Sequence, residues 1–398
     1  MRALPLFVGL APLLLASRLG FAFELLDGDI QIHGFASQAI VQTTDNQYYG
    51  DSEHTSTELT ELGINASYQA TPSLLLSGQL LSRRAGDLYD GTPSLDYGLL
   101  DYTIASTAHH RLGARIGRIK SPLGLYNETR DVPFTRPGIF LPQVIYYDKV
   151  RNLLLSYDGV MLYADLYGSK GNLSFELGTG RSVIDENVTW VFLGTDQFGD
   201  LEPEGINWGI GSAWYSTPTE ALKLGISGVV TEMTFDPKQF SPLSPGTIDV
   251  FHWIASLQYN VADWTLSAEY SQTPISWNDL GPVFPFDDQV MEGYYLQGAY
   301  RLRPNLEIMA RYEEGFQDRN DRSGRDHAAL TGGLDPRFAF FSKIFSLGLR
   351  WDITPRAMLR FEVQHHDGTF ALSWRDNFER SDLVREWDAF AASISVRF

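Results

Sequence analysis

Cysteine is absent from all 398 residues, which removes disulfides, thiolate nucleophiles and thiolate metal sites from consideration. It also suits a chain that crosses an oxidising compartment unfolded, where stray thiols would pair. Beyond its first two dozen residues the chain lacks any run approaching eighteen apolar residues, so it does not cross a membrane as helices. A barrel stays open, because its strands need apolar residues only at alternate positions. Positive charge is scarce too. There are 31 Lys and Arg against 49 Asp and Glu, a net charge of −18, and such a surface has nothing to offer a nucleic-acid backbone.

What is present begins with a leader. Met1-Arg2 precedes an apolar run from Ala3 to Ser17 that is too short to span a bilayer and is interrupted by Pro5 and Pro12. Arg18 to Ala22 then ends in a small-x-small site, so residues 1–22 read as a secretory signal peptide and residues 23–398 as the mature chain. Losing Arg2 and Arg18 leaves 29 basic against 49 acidic residues, a charge of −20.

The mature sequence repeats one unit seven times: an alternating strand, a tight turn, an alternating strand, then a longer polar segment. The turns fall at Ala70-Thr71-Pro72, Ser106 to His110, Gly168 to Gly171, Ser216-Thr217-Pro218, Asn260 to Asp263, Arg303-Pro304-Asn305 and Ile353-Thr354-Pro355. Pro, Gly and Asn at these points let a chain reverse within a few residues. Before Thr71, Leu62, Ile64, Ala66 and Tyr68 share one face, while Glu61, Gly63, Asn65, Ser67 and Gln69 share the other. A period of two with one apolar and one polar face is a β-strand between two solvents. Strands at Ile30 to Gln42 and Ala389 to Phe398 bring the total to sixteen, an even number as single-chain bacterial barrels require. Residues 23–398 then supply about 47 residues per strand pair, room for two strands of about eleven, a turn and a loop. The expected class is all-β: a transmembrane antiparallel β-barrel of about sixteen strands. Aromatics near strand ends, among them Tyr68, Tyr102, Tyr157, Trp214, Tyr259, Trp264, Tyr312 and Trp351, fit interfacial girdles. A soluble sandwich or propeller would not alternate every short connection with a long one.

The final segment, Phe390 to Phe398, alternates and ends in phenylalanine. It resembles the signal that outer-membrane proteins present to the barrel-insertion machinery. With the leader and the strand count, the whole mature chain resembles the Gram-negative porins. That resemblance implies a bacterial outer-membrane location among lipid and lipopolysaccharide, a water-filled channel for passive diffusion of small hydrophilic solutes or ions, no cofactor, and commonly a homotrimer. It also implies that the third long loop folds into the lumen, and the longest loop here, Ser121 to Arg151, does fall between the fifth and sixth strands. The stretch Arg115-x-Gly117-Arg118-x-Lys120-x-Pro122-x-Gly124 is similar to the phosphate-selective porins. Their phosphate ligands have no one-to-one counterparts here, so that substrate is not carried over.

Parity places Arg83, Arg115, Arg301, Arg311, Arg350 and Arg360 on the inner face. Arg118, Lys120, Arg130 and Arg136 lie in or beside the third loop, against Glu128 and Asp131, and together these residues are the expected pore lining and constriction. The arginines can form a basic ladder that guides anions, or they can be paired off by inward carboxylates such as Glu61, Asp101, Glu269, Glu313, Asp352 and Glu362. A positive constriction predicts a weak anion preference in spite of the net charge, since charges in the outer loops are screened within about 8 to 10 Å at physiological salt. Several loops are acidic, notably Ile184 to Gly205, and are expected to be solvated or to bind divalent cations bridging to lipopolysaccharide. His109-His110 and His365-His366 lack a third ligand at useful spacing, so no metal site is expected. Two rival classes are a surface receptor or adhesin, which would use the long loops, and a barrel enzyme, for which no Ser/His/Asp set stands out.

Overall fold

The computed structural model describes residues 23–25, 30–286 and 288–398. The expected signal peptide lies outside the described residues. Sixteen antiparallel strands form the wall: β1 Ile30–Thr43, β2 Ser56–Thr71, β3 Leu74–Ala85, β4 Ser94–Ser106, β5 His110–Lys120, β6 Ser156–Gly168, β7 Gly171–Ser182 and β8 Trp208–Ser216. The remainder are β9 Leu222–Pro237, β10 Gly246–Val261, β11 Trp264–Asn278, β12 Gln289–Arg303, β13 Leu306–Phe316, β14 Phe341–Thr354, β15 Ala357–Gly368 and β16 Glu386–Arg397. Each pairs with its neighbours in sequence, and β16 pairs with β1 from Ala389↔Thr43 to Arg397↔Phe35. That last ladder closes the wall. Closure matters physically, because an unpaired N–H or C=O facing hydrocarbon costs several kcal/mol. Three short segments, Phe23–Leu25, Tyr89–Asp90 and Gly199–Glu202, pair onto β1, β3 and β9.

All seven expected turns connect the pairs in which they were placed, at one end of the barrel, and eight longer loops (L1 to L8) leave the other. Outer-membrane barrels carry short turns on the periplasmic side and long loops outside.

The outer face is apolar. Leu62, Ile64, Leu162, Leu177, Ile226, Leu296, Leu347 and Phe361 project from it, each between two inward neighbours, as the pleat requires. Tyr68, Tyr102, Tyr259, Trp264, Tyr312 and Trp351 stand exposed on the same face. Two of the expected girdle residues do not. Tyr157 is fully buried in the interior, and Trp214 faces inward with the Lys223 ammonium 4.3 Å above its ring. Both sit at inward positions of their strands, and parity outweighs residue type.

The β16–β1 seam is reinforced at a glycine. Phe398 exchanges backbone hydrogen bonds with Gly34 (3.0 and 3.3 Å), and its ring lies where a Cβ on Gly34 would come within 2.4 Å of it. The Phe35 ring covers Gly63 in the same manner on the inner side. Each ring thereby covers backbone that a side chain would otherwise shield.

Candidate functional site: the third loop in the lumen

The loop L3, residues 121–155, runs inside the wall, and nearly all of it is buried. Two kinds of contact hold it. On the side of β6 to β12, the inward residues near the loop end are apolar: Met161, Ile210, Val229, Met233, Ile254 and Met291 pack with Leu141, Val144, Ile145 and Tyr147 of L3. Burying such a side chain contributes about 1.5–3 kcal/mol, so this seam is one of the loop's two anchors. On the side of β1 to β5 and β13 to β16, the wall is ionic.

Three inward carboxylates on alternate strands, β11, β13 and β15, accept the loop's backbone N–H groups. Glu269 takes Leu125 N at 2.8 Å, together with the hydroxyls of Tyr146 (2.5 Å), Ser256 (2.6 Å) and Tyr295 (2.9 Å). Glu313 takes Val144 N at 3.2 Å. Glu362 takes Ile139 N at 2.6 Å and Phe140 N at 3.2 Å. Hydrogen bonds to an ionised acceptor are about twice as strong as neutral ones. Three arginines answer from β13, β14 and β15 by donating to loop carbonyls: Arg311 to Phe140 (3.1 Å), Arg350 to Phe134 (3.2 Å), and Arg360 to Pro133 (3.2 Å) and Gly138. The inner wall thus supplies the partners that an irregular backbone needs at membrane depth.

The expected site residues fall into three groups. Arg83, Arg115, Arg130, Asp131, Arg136, Arg311, Arg350 and Arg360 are all inside. Arg83 pairs with Glu61 (3.4 Å) and Asp148 (2.9 Å), Arg130 with Asp148 (3.0 Å), and Arg136 with Glu61 (2.6 Å). Asp131 lies between Lys120 and Arg151, and Lys120 also reaches Asp96 at 2.7 Å. Arg115 joins Asp101 and Glu176, each at 3.1 Å. Arg311 joins Glu313 (2.9 Å) and Glu362 (3.2 Å), and Arg350 joins Asp352 (3.1 Å). Glu128 is exposed to the space within the wall. Arg301, 59% exposed at the short-turn mouth, pairs loosely with Glu307 at 3.6 Å.

Arg118 is the exception. It is in register with Asp158 and binds it on the outer face (2.7 Å), two positions from the lipid-facing Ile116 and Val160. It does not line the lumen. A free ladder of arginines is also absent among the described residues, because inward carboxylates of neighbouring strands and of L3 take most of them up. Two buried cations remain without a carboxylate among the described residues. Arg360 bonds only to carbonyls, and Lys149 donates to Phe370 O (2.6 Å) with its ammonium 4.2 Å above the Phe370 ring.

Sequence reasoning missed L1. Tyr49 donates to Asp148, and its ring stacks on Phe140 of L3 (5.7 Å, 9°). Tyr48-Tyr49-Gly50 in an otherwise polar loop was the available signal. The cleft among Tyr49, Glu61, Arg83, Arg130, Arg136 and Asp148 measures about 10 Å³. A second cleft beside Lys149, lined by Trp190, Trp277 and Trp374, measures about 40 Å³. At these two places L3 packs closely against its surroundings.

No family model and no curated protein matches this chain. Solved structures do. The in-vitro folded OmpT, an outer membrane protein of Vibrio cholerae, superposes with a TM-score of 0.56 at 10% identity, over 95% of this chain and 100% of that one. The barrel is of the outer-membrane kind. The outer membrane channel DcaP of Acinetobacter baumannii gives 0.56 at 12% identity, over 93% and 97%. OmpF of Salmonella typhi, solved with daunomycin, gives 0.56 at 13% identity, over 94% and 100%. At such identities the likeness is one of fold, a porin-like barrel.

Proposed function

We propose that this barrel is a channel for passive diffusion of small hydrophilic solutes across the outer membrane, and that L3 controls its passage. The observation that carries the reading is a 35-residue loop held inside the wall by charges on the wall itself. A loop held there sets the bore of the channel. Kinship with the phosphate-selective group rests on the stretch Arg115 to Gly124 alone, within which Arg118 is turned outward. A homotrimer is part of the proposal, since an OmpT form among the similar structures is described as a trimer. A channel is favoured over an enzyme because the buried histidines are used in packing: His252 bonds Thr273, His327 sits between Asp321 and Gln289, and His366 lies on the Trp387 ring at 3.8 Å.

The proposed selectivity is a weak preference for anions. Lys149 and Arg360 are the buried cations without a carboxylate, against one buried wall carboxylate, Glu269, without a cation. The preference should depend on pH. Burial, with Arg380 nearby, pushes the Lys149 ammonium down to about 7, so it sheds its charge as pH rises from 6 to 8. Enclosure and the Glu176 carboxylate push Glu128 up to about 7, so it gains negative charge over the same range. Both changes act in one direction. The reversal potential in a potassium chloride gradient is expected to favour chloride at pH 6 and to move towards potassium at pH 8. The Lys149→Met, Glu128→Gln double variant should show a flat profile. Cation selectivity at both pH values would overturn the assignment.

We also propose that Phe398 serves recognition by the insertion machinery as well as the seam. Gly34→Val displaces the ring while leaving the residue in place, so it should lower the yield of heat-modifiable barrel only in part. Deleting Phe398 should abolish the yield. Equal losses in both variants would reduce Phe398 to a seam contact.

A further inference from the structure

On the outer face of the wall, at its long-loop end, β13, β14 and β15 bring three residues into one register row: Glu314, Lys343 and Asp367. L7 and L8 add Arg322, Arg337 and Arg385, enclosing an outward-opening pocket of about 620 Å³. Its base is aromatic, with Phe316, Phe338 and Phe341. The same strands carry Tyr312, Phe345 and Leu347 exposed immediately below. The pocket therefore sits where the hydrocarbon-facing band ends and lipid headgroups begin.

Charge within it is incompletely paired. Arg385 grips Asp367 with two bonds (2.6 and 3.1 Å), and Arg322 reaches Glu292 at 2.6 Å. Glu314 is satisfied by the hydroxyls of Tyr294 (2.6 Å) and Tyr312 (2.5 Å). Lys343 and Arg337 have no side-chain hydrogen bond or ion pair among the described residues. Glu386, in register with Asp367, stands at the edge.

We propose that this pocket binds the phosphorylated headgroup of an outer-leaflet lipid, lipopolysaccharide in a Gram-negative membrane, with Lys343 and Arg337 on its phosphate. Two unpaired cations at headgroup height supply the charge, and a volume far larger than one phosphate leaves room for sugar against the phenylalanines. The site is independent of the channel reading. In L4 three of the acidic groups are already engaged, since Asp185 caps the Glu186–Leu193 helix, Glu186 pairs with Arg375, and Asp200 pairs with Lys238.

The test titrates the purified full-length barrel in detergent with bisphosphorylated lipid A and with its enzymatically dephosphorylated form, read by native mass spectrometry. The phosphorylated lipid should be retained and the dephosphorylated one lost. Lys343→Ala with Arg337→Ala should weaken retention about tenfold or more, as expected on removal of charge-assisted contacts, while Lys238→Ala in L5 leaves it unchanged. Arg337 lies in a loop outside the wall, so Arg337→Glu alone carries the test if the double variant assembles poorly. Equal retention by the double variant would overturn the site. So would full displacement by millimolar inorganic phosphate, which would mark a free-anion site, or loss of binding only on magnesium chelation, which would return attachment to the acidic loops.

Discussion

Glu362→Gln is expected to make the channel open more often. Glu362 Oε2 accepts two successive backbone N–H groups of L3, while Oε1 takes Arg311 Nη2 at 3.2 Å and Gln364 Nε2 at 2.9 Å. Glutamine has nearly the same shape but no charge. Whichever way the amide turns, its NH₂ group meets donors, either the loop N–H groups or the guanidinium. Hydrogen bonds to a charged group contribute about 1.5–3 kcal/mol. Losing that much from the closed state alone raises the open population about tenfold or more. Single-channel recording of open probability checks this, with Glu307→Gln at the short-turn mouth as the control. Unchanged gating in Glu362→Gln would show that the apolar seam on β6 to β12 holds L3 by itself.

Arg311→Ala should produce the largest loss of stability. The guanidinium is 1% exposed and joins Glu313, Glu362, Phe140 O, Gln297 and Ser346. Its removal leaves two buried carboxylates without their cation, and breaking a buried pair from one side costs about 3–5 kcal/mol. Arg301→Ala removes an exposed pair and should cost about 0–1 kcal/mol. The temperature at which the folded band disappears in heat-modifiability gels, with chemical unfolding in detergent, separates the two. Equal midpoints would mean that water reaches the Arg311 site.

Alternation made the wall readable from the sequence, because residues such as Leu62 and Glu61 must face different solvents whatever the rest of the chain does. The turns were readable for a local reason as well, the backbone reversals at Pro72, Pro218 and Pro304. The pairing of the lumen charges was not, since it is set between elements far apart in sequence. Arg136 meets Glu61 across 75 positions and Arg83 meets Asp148 across 65, and nothing near either residue encodes the meeting. Arg118 shows where a local motif misleads. Its RxGR spacing resembled a functional stretch, yet Arg118 lies three positions after Arg115, an odd step in a period of two that sends the second arginine outward. The apolar half of the inner wall was hidden for the complementary reason. Strands such as β10 carry Ile248, Val250 and Ile254 inward as well as Phe251 and Leu257 outward, and two apolar faces blur the period.

The β16–β1 seam has a consequence in time. Ser37 and Ser395 face each other at 2.9 Å although 358 positions separate them. One edge of the first wall strand therefore stays bare until the last strand has been delivered, and chain entropy opposes the meeting by a term that grows as the logarithm of the intervening length. Bare strand edges are templates for foreign pairing, so every nascent copy passes through an interval in which its greatest hazard is another copy like itself. Finishing late is built into the topology, and errors made midway in synthesis are sealed in or rejected only when the final dozen residues dock.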